Sequence, residues 1–122
     1  LSLHDALPIC ILTTGYNGAP SGILTCRDKG YCMRDRLGIK SGTCAERCYA
    51  VHAEQNAITQ AAKLGVSVDG ATLYCTHQPC TICTRIIINS GITRVVYKNP
   101  YPDEFSMQLF EEAGILVEKF DE

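Results

Sequence analysis

The fold and the chemistry of this chain are both organised around two short stretches, Val51-His52-Ala53-Glu54-Gln55 and Gln78-Pro79-Cys80-Thr81-Ile82-Cys83. Together they contain one histidine, two cysteines and one carboxylate. A zinc site with three protein ligands leaves the fourth tetrahedral position for water, which is the catalytic arrangement. Glu54 then stands beside the metal as an acid that can move protons. The predicted zinc ligands are His52, Cys80 and Cys83.

Helices and strands are predicted to alternate around these stretches. Apolar periodicity indicates helices over 53–64, 81–89 and 104–113, and β-favouring runs indicate strands over 10–14, 71–76, 93–97 and 115–120. Short loops between these elements imply parallel strands joined by crossovers, which is an α/β architecture. The two helices that start near His52 and Cys80 should therefore begin at the same end of the sheet, where ligands of such sheets bind.

Size and charge exclude several classes of protein. The chain has 122 residues, enough for one domain, and a formal net charge of −2, so it lacks the basic surface typical of nucleic-acid binding. No apolar run approaches the roughly 18 residues of a membrane span. Residues 1–9 lack the basic start of a signal peptide. A cytoplasmic protein with a small-molecule partner is expected.

The eight cysteines indicate metal binding more than a disulfide framework, because no secretory signal is found. Cys10 and Cys75 lie in predicted strands and are expected in the core. Residues 26–48 are polar, irregular and rich in cysteine. They either hold a second, structural zinc or carry free thiols on an insertion, and the spacing alone leaves both open. The cysteines concerned are Cys26, Cys32, Cys44 and Cys48.

Four segments extend the pattern: residues 14–22 (TGYNGAPSG), 51–58 (VHAEQNAI), 76–83 (THQPCTIC) and 90–92 (SGI). They resemble deoxycytidylate (dCMP) deaminases, and the late-competence-operon deaminase-like proteins of bacteria look similar. The resemblance covers roughly residues 11–120. It implies a three-layer α/β/α cytidine deaminase-like fold with a mixed sheet, and zinc-dependent conversion of dCMP to dUMP and ammonia.

The same resemblance implies roles for individual residues. His52, Cys80 and Cys83 would bind zinc, and Glu54 would shuttle protons to N3 of the cytosine ring. Substrate contacts would come from Asn17 near the deoxyribose 3′-hydroxyl, the backbone of Ala53 near the base, and Tyr101 near the phosphate. Cys26 matches a position that binds a second zinc in some members. The family also suggests a homo-oligomer, often a hexamer, with dCTP and dTTP as effectors of some members.

One departure concerns the start of the chain. The family begins with a helix and a strand before the segment equivalent to residues 10–14, and Leu1 to Ile9 resembles neither. This departure predicts either a truncated gene end or a foreign, artefactual leader over residues 1–9, and a deaminase domain over residues 10–122 that lacks its first helix and strand.

Two rival functions remain at this point. The first is another zinc deaminase of the same fold, acting on tRNA adenosine, guanine or a riboflavin precursor. The second is a zinc-stabilised, non-catalytic module of DNA uptake. Glu54 argues against the second rival, because a structural metal site does not need an acid beside it.

Overall fold

A computed structural model describes residues 10–38 and 48–121 of the chain. Two short helices, α1 (Cys26–Lys29) and α2 (Met33–Arg36), precede the main body, which alternates helix and strand as predicted. None of the helices in the two described ranges is long and apolar enough to cross a membrane. The elements of the main body are α3 (Ala53–Leu64), β1 (Thr72–His77), α4 (Thr81–Asn89), β2 (Arg94–Asn99), α5 (Glu104–Ala113) and β3 (Leu116–Lys119).

The three described strands form one parallel sheet in the order β1-β2-β3. Residue Val96 of the central strand pairs with Tyr74 on one side and Glu118 on the other. Each crossover contains one helix, so α4 and α5 pack against each other beside the sheet. The predicted α/β architecture with parallel strands is confirmed, and the helices α4 and α5 each begin shortly after a strand ends.

The core lies between β2 and the helices α4 and α5. Cys83 and Ile87 of α4 and Phe110 of α5 pack with Val95 and Ile92, and each is almost completely buried. At about 25 cal/mol per Å² of apolar surface, each large side chain in this cluster contributes about 1.5–3 kcal/mol relative to the exposed state. Cys83 is thus both a core residue and a predicted zinc ligand, which ties the metal site directly to the packing of the domain.

The helix ends agree with the predicted glycine stops. Gly65 and Gly114 close α3 and α5 with φ values of 72° and 73°, in the left-handed region that side chains disfavour. At the other end of α3, Gln55 Oε1 accepts a hydrogen bond from the His52 backbone N–H at 2.9 Å. This bond is one half of a capping box, and it fixes His52 at the entrance of the helix.

The predicted strand over residues 10–14 is wrong. Among the described residues β1 pairs only with β2, and the segment 10–14 runs without a ladder. Ile11 is 80% exposed and Cys10 is exposed as well, so Cys10 is not a core residue. A β-favouring run forms a strand only where a neighbour supplies backbone partners. Here the segment is held through a side chain instead, since Thr13 Oγ1 donates to the Ala57 carbonyl at 3.0 Å.

The predicted mixed sheet is not seen among the described residues, whose sheet is parallel throughout. The described antiparallel pairing is an isolated bridge outside this sheet. Gly18 and Val51 exchange two backbone hydrogen bonds of 3.2 and 2.7 Å. Residues 1–9, predicted to be a leader, lie outside the described part of the chain.

A candidate metal centre and active site

Three of the predicted site residues meet at the start of α3 and α4. His52 immediately precedes α3, Cys80 immediately precedes α4, and Cys83 lies in the first turn of α4. His52 Nδ1 is 3.1 Å from Cys83 Sγ and 3.5 Å from Cys80 Sγ. These three ligand atoms lie within 4.8 Å of one another, and this is the one group of its kind that the described residues form.

The spacing of these atoms fits a tetrahedral zinc ion. Zinc–sulfur bonds of about 2.3 Å and zinc–nitrogen bonds of about 2.0–2.1 Å place a sulfur and a nitrogen about 3.6 Å apart in a tetrahedron. The separation of 3.5 Å to Cys80 matches this edge, and the separation of 3.1 Å to Cys83 is slightly shorter. One imidazole and two sulfurs are also the donor set that zinc prefers over harder cations. The residues therefore fit the metal.

The two sulfurs share one proton in the metal-free chain. The hydrogen bond from the Cys83 thiol, supported by His52, lowers the pKa of Cys80 to about 4. The same hydrogen bond, together with burial and the neighbouring Glu54, raises the pKa of Cys83 far above its usual range. The shared hydrogen bond thus lowers the pKa of Cys80 and raises that of Cys83. Binding of a divalent metal to both sulfurs must release any proton that they hold.

Glu54 lies in the first turn of α3, two residues after His52. Its carboxyl group reaches the Cys83 thiol, and its charge also acts on Cys75 of β1. Burial and, secondarily, this charge raise the pKa of Cys75 to about 12, so Cys75 stays a thiol. Cys75 packs partly buried against the core as predicted, and its Sγ donates to the Val96 carbonyl at 3.6 Å. Glu54 is thus close enough to contribute to the raised pKa of Cys83, and its role in catalysis remains a prediction.

The glycine-rich loop, residues 14–22, lies directly on the first turn of α3. Asn17 Oδ1 accepts from the Ala53 backbone N–H at 2.6 Å, and Asn56 Nδ2 donates to the Tyr16 carbonyl at 2.7 Å. Gly15 approaches so closely that a Cβ would overlap the backbone of Ala53 and Ala57. This loop therefore borders the centre. In this arrangement Asn17 and the Ala53 backbone bind each other, and their contacts with a substrate stay predictions.

Asp103 is a residue of the site that the sequence reasoning missed. Its carboxylate accepts from the Thr81 backbone N–H at 2.7 Å, from the Thr81 hydroxyl at 2.8 and 2.7 Å, and from the Ser106 backbone N–H at 2.9 Å. Burial raises the pKa of Asp103, but the hydrogen bonds from Ser106 and Thr81 outweigh it and hold the pKa below its ordinary value. An aspartate just before a helix is a recognisable N-cap. Its link to a second helix could not be read from the sequence.

Two buried hydroxyls lie behind Cys80. Ser106 Oγ donates to the Pro79 carbonyl at 2.7 Å, Thr84 Oγ1 donates to the Cys80 carbonyl at 2.8 Å, and the two oxygens are 2.7 Å apart. Both side chains are completely buried. Buried polar groups are costly unless they are paired, so this network fixes the backbone of residues 79–80 against α5.

The remaining predicted residues lie apart from these contacts or outside the described ranges. Tyr101 is 38% exposed, and its carbonyl accepts from the Asp103 N–H in a tight turn. Cys32 and Cys48 are partly buried, and among the described residues neither belongs to a metal-binding group. Cys44 and the side chain of Cys26 are not described. The second zinc and the phosphate contact of Tyr101 therefore stay predictions.

Comparison with known proteins places this geometry in context. The model of the cytidine and deoxycytidylate deaminase zinc-binding region matches residues 9–99. ComE operon protein 2 of Bacillus subtilis is 40% identical over 112 residues, covering 91% of this chain and 54% of that protein. Deoxycytidylate deaminase of Saccharomyces cerevisiae is 38% identical over 111 residues, covering 90% and 34%. The chain thus spans about half the length of the first relative and about a third of the second.

A solved structure is similar as well. The dCMP deaminase of the cyanophage S-TIM5, crystallised with dCMP and dUMP, superposes with a TM-score of 0.73 at 33% identity, covering 93% of this chain and 75% of that one. The region that the family model matches contains both stretches that build the centre.

Proposed function

Because the chain belongs to the cytidine and deoxycytidylate deaminase family, we propose that it hydrolyses dCMP to dUMP and ammonia. The observation that carries the proposal is the meeting of His52 Nδ1 with the sulfurs of Cys80 and Cys83, beside the Glu54 carboxyl. A relative of the same fold is a dCMP deaminase that binds dCMP and dUMP, which supports the choice of substrate.

His52, Cys80 and Cys83 would hold the zinc ion. When bound, zinc supplies a water that is acidic enough to act as a nucleophile near neutral pH. Glu54 accepts a proton from water through a carboxylate oxygen and delivers it to N3 of the cytosine ring. The water oxygen bonds to C4, and Glu54 then takes the remaining proton of that oxygen and passes it to the exocyclic nitrogen, so that the C4–N4 bond breaks and ammonia leaves. One water is consumed, and the C4–N4 bond is replaced by a carbonyl.

Glu54 suits this proton transfer because of its placement. It lies on the rigid first turn of α3, two residues after His52, and its carboxyl group is partly buried. General acid–base help of this kind is worth about 10²–10⁴-fold in rate. Glu54→Gln keeps the shape and removes the titratable oxygen. We expect it to retain zinc and to lose at least this factor in kcat.

The test is release of ammonia from dCMP, compared with dCTP, cytidine and guanine, together with the metal content of each variant. Turnover of dCMP that is lost in Glu54→Gln while zinc stays bound supports the proposal. Ammonia release from guanine alone would contradict it. Full zinc binding without turnover of any nucleotide would favour a non-catalytic module instead.

A second substrate class is favoured by one observation. The diaminohydroxyphosphoribosylaminopyrimidine deaminase/5-amino-6-(5-phosphoribosylamino)uracil reductase of Thermotoga maritima superposes with a TM-score of 0.52 at 38% identity, covering 57% of this chain and 22% of that one. The dCMP deaminase aligns over a larger share, which is why we prefer dCMP. Including the diaminohydroxyphosphoribosylaminopyrimidine substrate in the same assay separates the two.

Cytoplasmic location, a homo-oligomer such as a hexamer, and a response to dCTP and dTTP belong to the same proposal through the family resemblance. Sedimentation of the purified chain with and without each nucleotide tests the last two. If the chain sediments as a monomer, and neither nucleotide changes its sedimentation, both the homo-oligomer and the nucleotide response are contradicted.

A further inference from the structure

Cys80 precedes α4 and therefore occupies the position whose side chain usually caps a helix. The first four backbone N–H groups of a helix have no partner within it, and the residue before the helix commonly supplies one. In the described structure Cys80 does not cap the first amide of α4, because its sulfur faces His52 and Cys83. A ligand cysteine at this position thus leaves the first amide of its own helix to another partner.

Asp103 fills this role from another part of the chain. Oδ2 of its carboxylate accepts from the Thr81 N–H at 2.7 Å, and Oδ1 accepts from the Ser106 N–H at 2.9 Å. One carboxylate therefore caps the first amide of α4 and the first turn of α5 together. Negative charge is favourable at both helix starts, because each carries partial positive charge.

The other ligand-bearing helix uses the same device. His52 precedes α3, and the first amide of that helix, Ala53 N–H, donates to Asn17 Oδ1 at 2.6 Å. In both helices, then, a residue distant in sequence caps the amide next to a ligand. Asp103 is the charged one of the two caps, and it additionally holds the Thr81 hydroxyl.

We propose that Asp103 is a positioning residue of the metal centre: by holding Thr81, it fixes the backbone next to Cys80 and so sets the metal affinity without touching the metal. The inference rests on the metal site of the proposed function. Residues that orient ligands from behind typically contribute about 10- to 100-fold in metal affinity. A further contact involves the backbone of Asp103, whose carbonyl accepts from Gln78 Nε2 at 3.3 Å. This bond ties Asp103 to the turn that precedes Cys80.

The informative substitution is Asp103→Asn. Asparagine keeps one acceptor oxygen and is as good an N-cap as aspartate. Its oxygen can take the place of Oδ1, which accepts from the Ser106 N–H and the Thr81 hydroxyl, but the amide nitrogen that replaces Oδ2 cannot accept from the Thr81 backbone N–H. Two substitutions of Thr81 refine the test, since Thr81→Val removes the hydroxyl and Thr81→Ser retains it. Glu118→Gln is the control, because Glu118 is likewise a carboxylate with two charged hydrogen bonds, to Arg94 at the other end of β2.

The experiment measures zinc affinity by competition with a chromophoric chelator, and the absorption spectrum of the Co²⁺ form. Binding that persists in Cys80→Ser belongs to other cysteines and is subtracted. We expect Asp103→Asn to weaken zinc binding about 10- to 100-fold and to alter the Co²⁺ bands. Thr81→Val should lie between it and the wild type, while Thr81→Ser and Glu118→Gln should stay within twofold of the wild type.

A folded Asp103→Asn protein with a wild-type zinc affinity and Co²⁺ spectrum overturns the inference. Circular dichroism of the metal-free protein reports whether it is folded. Should Asp103→Asn fail to fold, Thr81→Val decides, and an affinity equal to that of Thr81→Ser overturns the inference. No substrate is used, so a chain that binds zinc in this Asp103-dependent way but leaves dCMP unchanged refutes only the proposed function.

Discussion

The close approach of Gly15 to α3 allows the clearest quantitative prediction. A Cβ added at residue 15 would meet the Ala53 carbonyl oxygen and lie 2.5 Å from the Ala57 nitrogen, both backbone atoms within a helix. Ordinary van der Waals contact begins near 3.4 Å. Since helix backbone cannot give way as a side chain can, the loop in Gly15→Ala must retreat by about 1 Å.

This retreat has a calculable cost. Overpacking of this kind typically costs about 1–3 kcal/mol. The bond from the Ala53 N–H to Asn17 Oδ1 would lengthen from 2.6 Å to beyond hydrogen-bonding range. Loss of a helix cap adds about 1 kcal/mol. We expect Gly15→Ala to lower the free energy of unfolding by about 2–4 kcal/mol.

Gly18 in the same loop supplies the matched control. A Cβ there would contact only the Tyr16 ring, at 3.5 and 3.8 Å, and its backbone does not have a positive φ. Gly18→Ala should therefore stay within about 0.5 kcal/mol of the wild type, as surface substitutions usually do. Urea unfolding followed by circular dichroism measures both variants. Equal loss of stability in the two would refute the steric reasoning, and so would an unaffected Gly15→Ala.

Three further predictions concern the centre and its support. In zinc-free protein, iodoacetamide should alkylate Cys80 at pH 6, because its pKa of about 4 keeps it ionised, whereas Cys75, with a pKa of about 12, should stay unmodified even at pH 9. Peptide mass spectrometry measures the labelling of both cysteines, and the labelling of Cys80 should decrease only as the pH falls towards 4. Equal labelling of Cys80 and Cys75 at pH 6 contradicts the assignment. Ser106→Ala should cost about 1–3 kcal/mol in urea unfolding, because it leaves the buried Pro79 carbonyl without its donor; a value near zero would show that this network does not hold the turn. Zinc at 100 times its dissociation constant should raise the free energy of unfolding by about 2.7 kcal/mol over the chelated protein, and a gain of the same size in Cys80→Ser would assign the effect to a different site.

The sequence predicted the central part of the molecule well, because two kinds of signal agreed there. The apolar periodicity of α3, α4 and α5 ends at glycines or a Ser-Gly pair, and the structure places the ends of α3 and α5 at the predicted residues. The spacing between His52 and Cys80 corresponds to one helix, a turn and one strand. The alternation of strands and helices then requires the three ligands to converge, which they do.

The failures have a different physical origin. Residues 10–14 have the composition of a strand, yet pairing depends on a neighbour that composition cannot supply. Asp103 was passed over because its importance comes from hydrogen bonds to Thr81, 22 residues earlier in the chain. The bond between Asn17 and the Ala53 backbone, a contact across 36 residues, was likewise not predicted, while the contact of Asn17 with a substrate stays a prediction. Contacts of this range leave no local pattern in a single sequence.

The position of Asp103 in the chain has a consequence for biosynthesis. All three metal ligands and the acid emerge from the ribosome before residue 103, whereas the group that holds the start of α4 emerges only afterwards. A nascent chain that ends at residue 100 therefore carries every donor atom and still lacks the brace between α4 and α5. We expect tight metal capture to wait for the docking of α5 and not to follow directly on the emergence of the last donor atom.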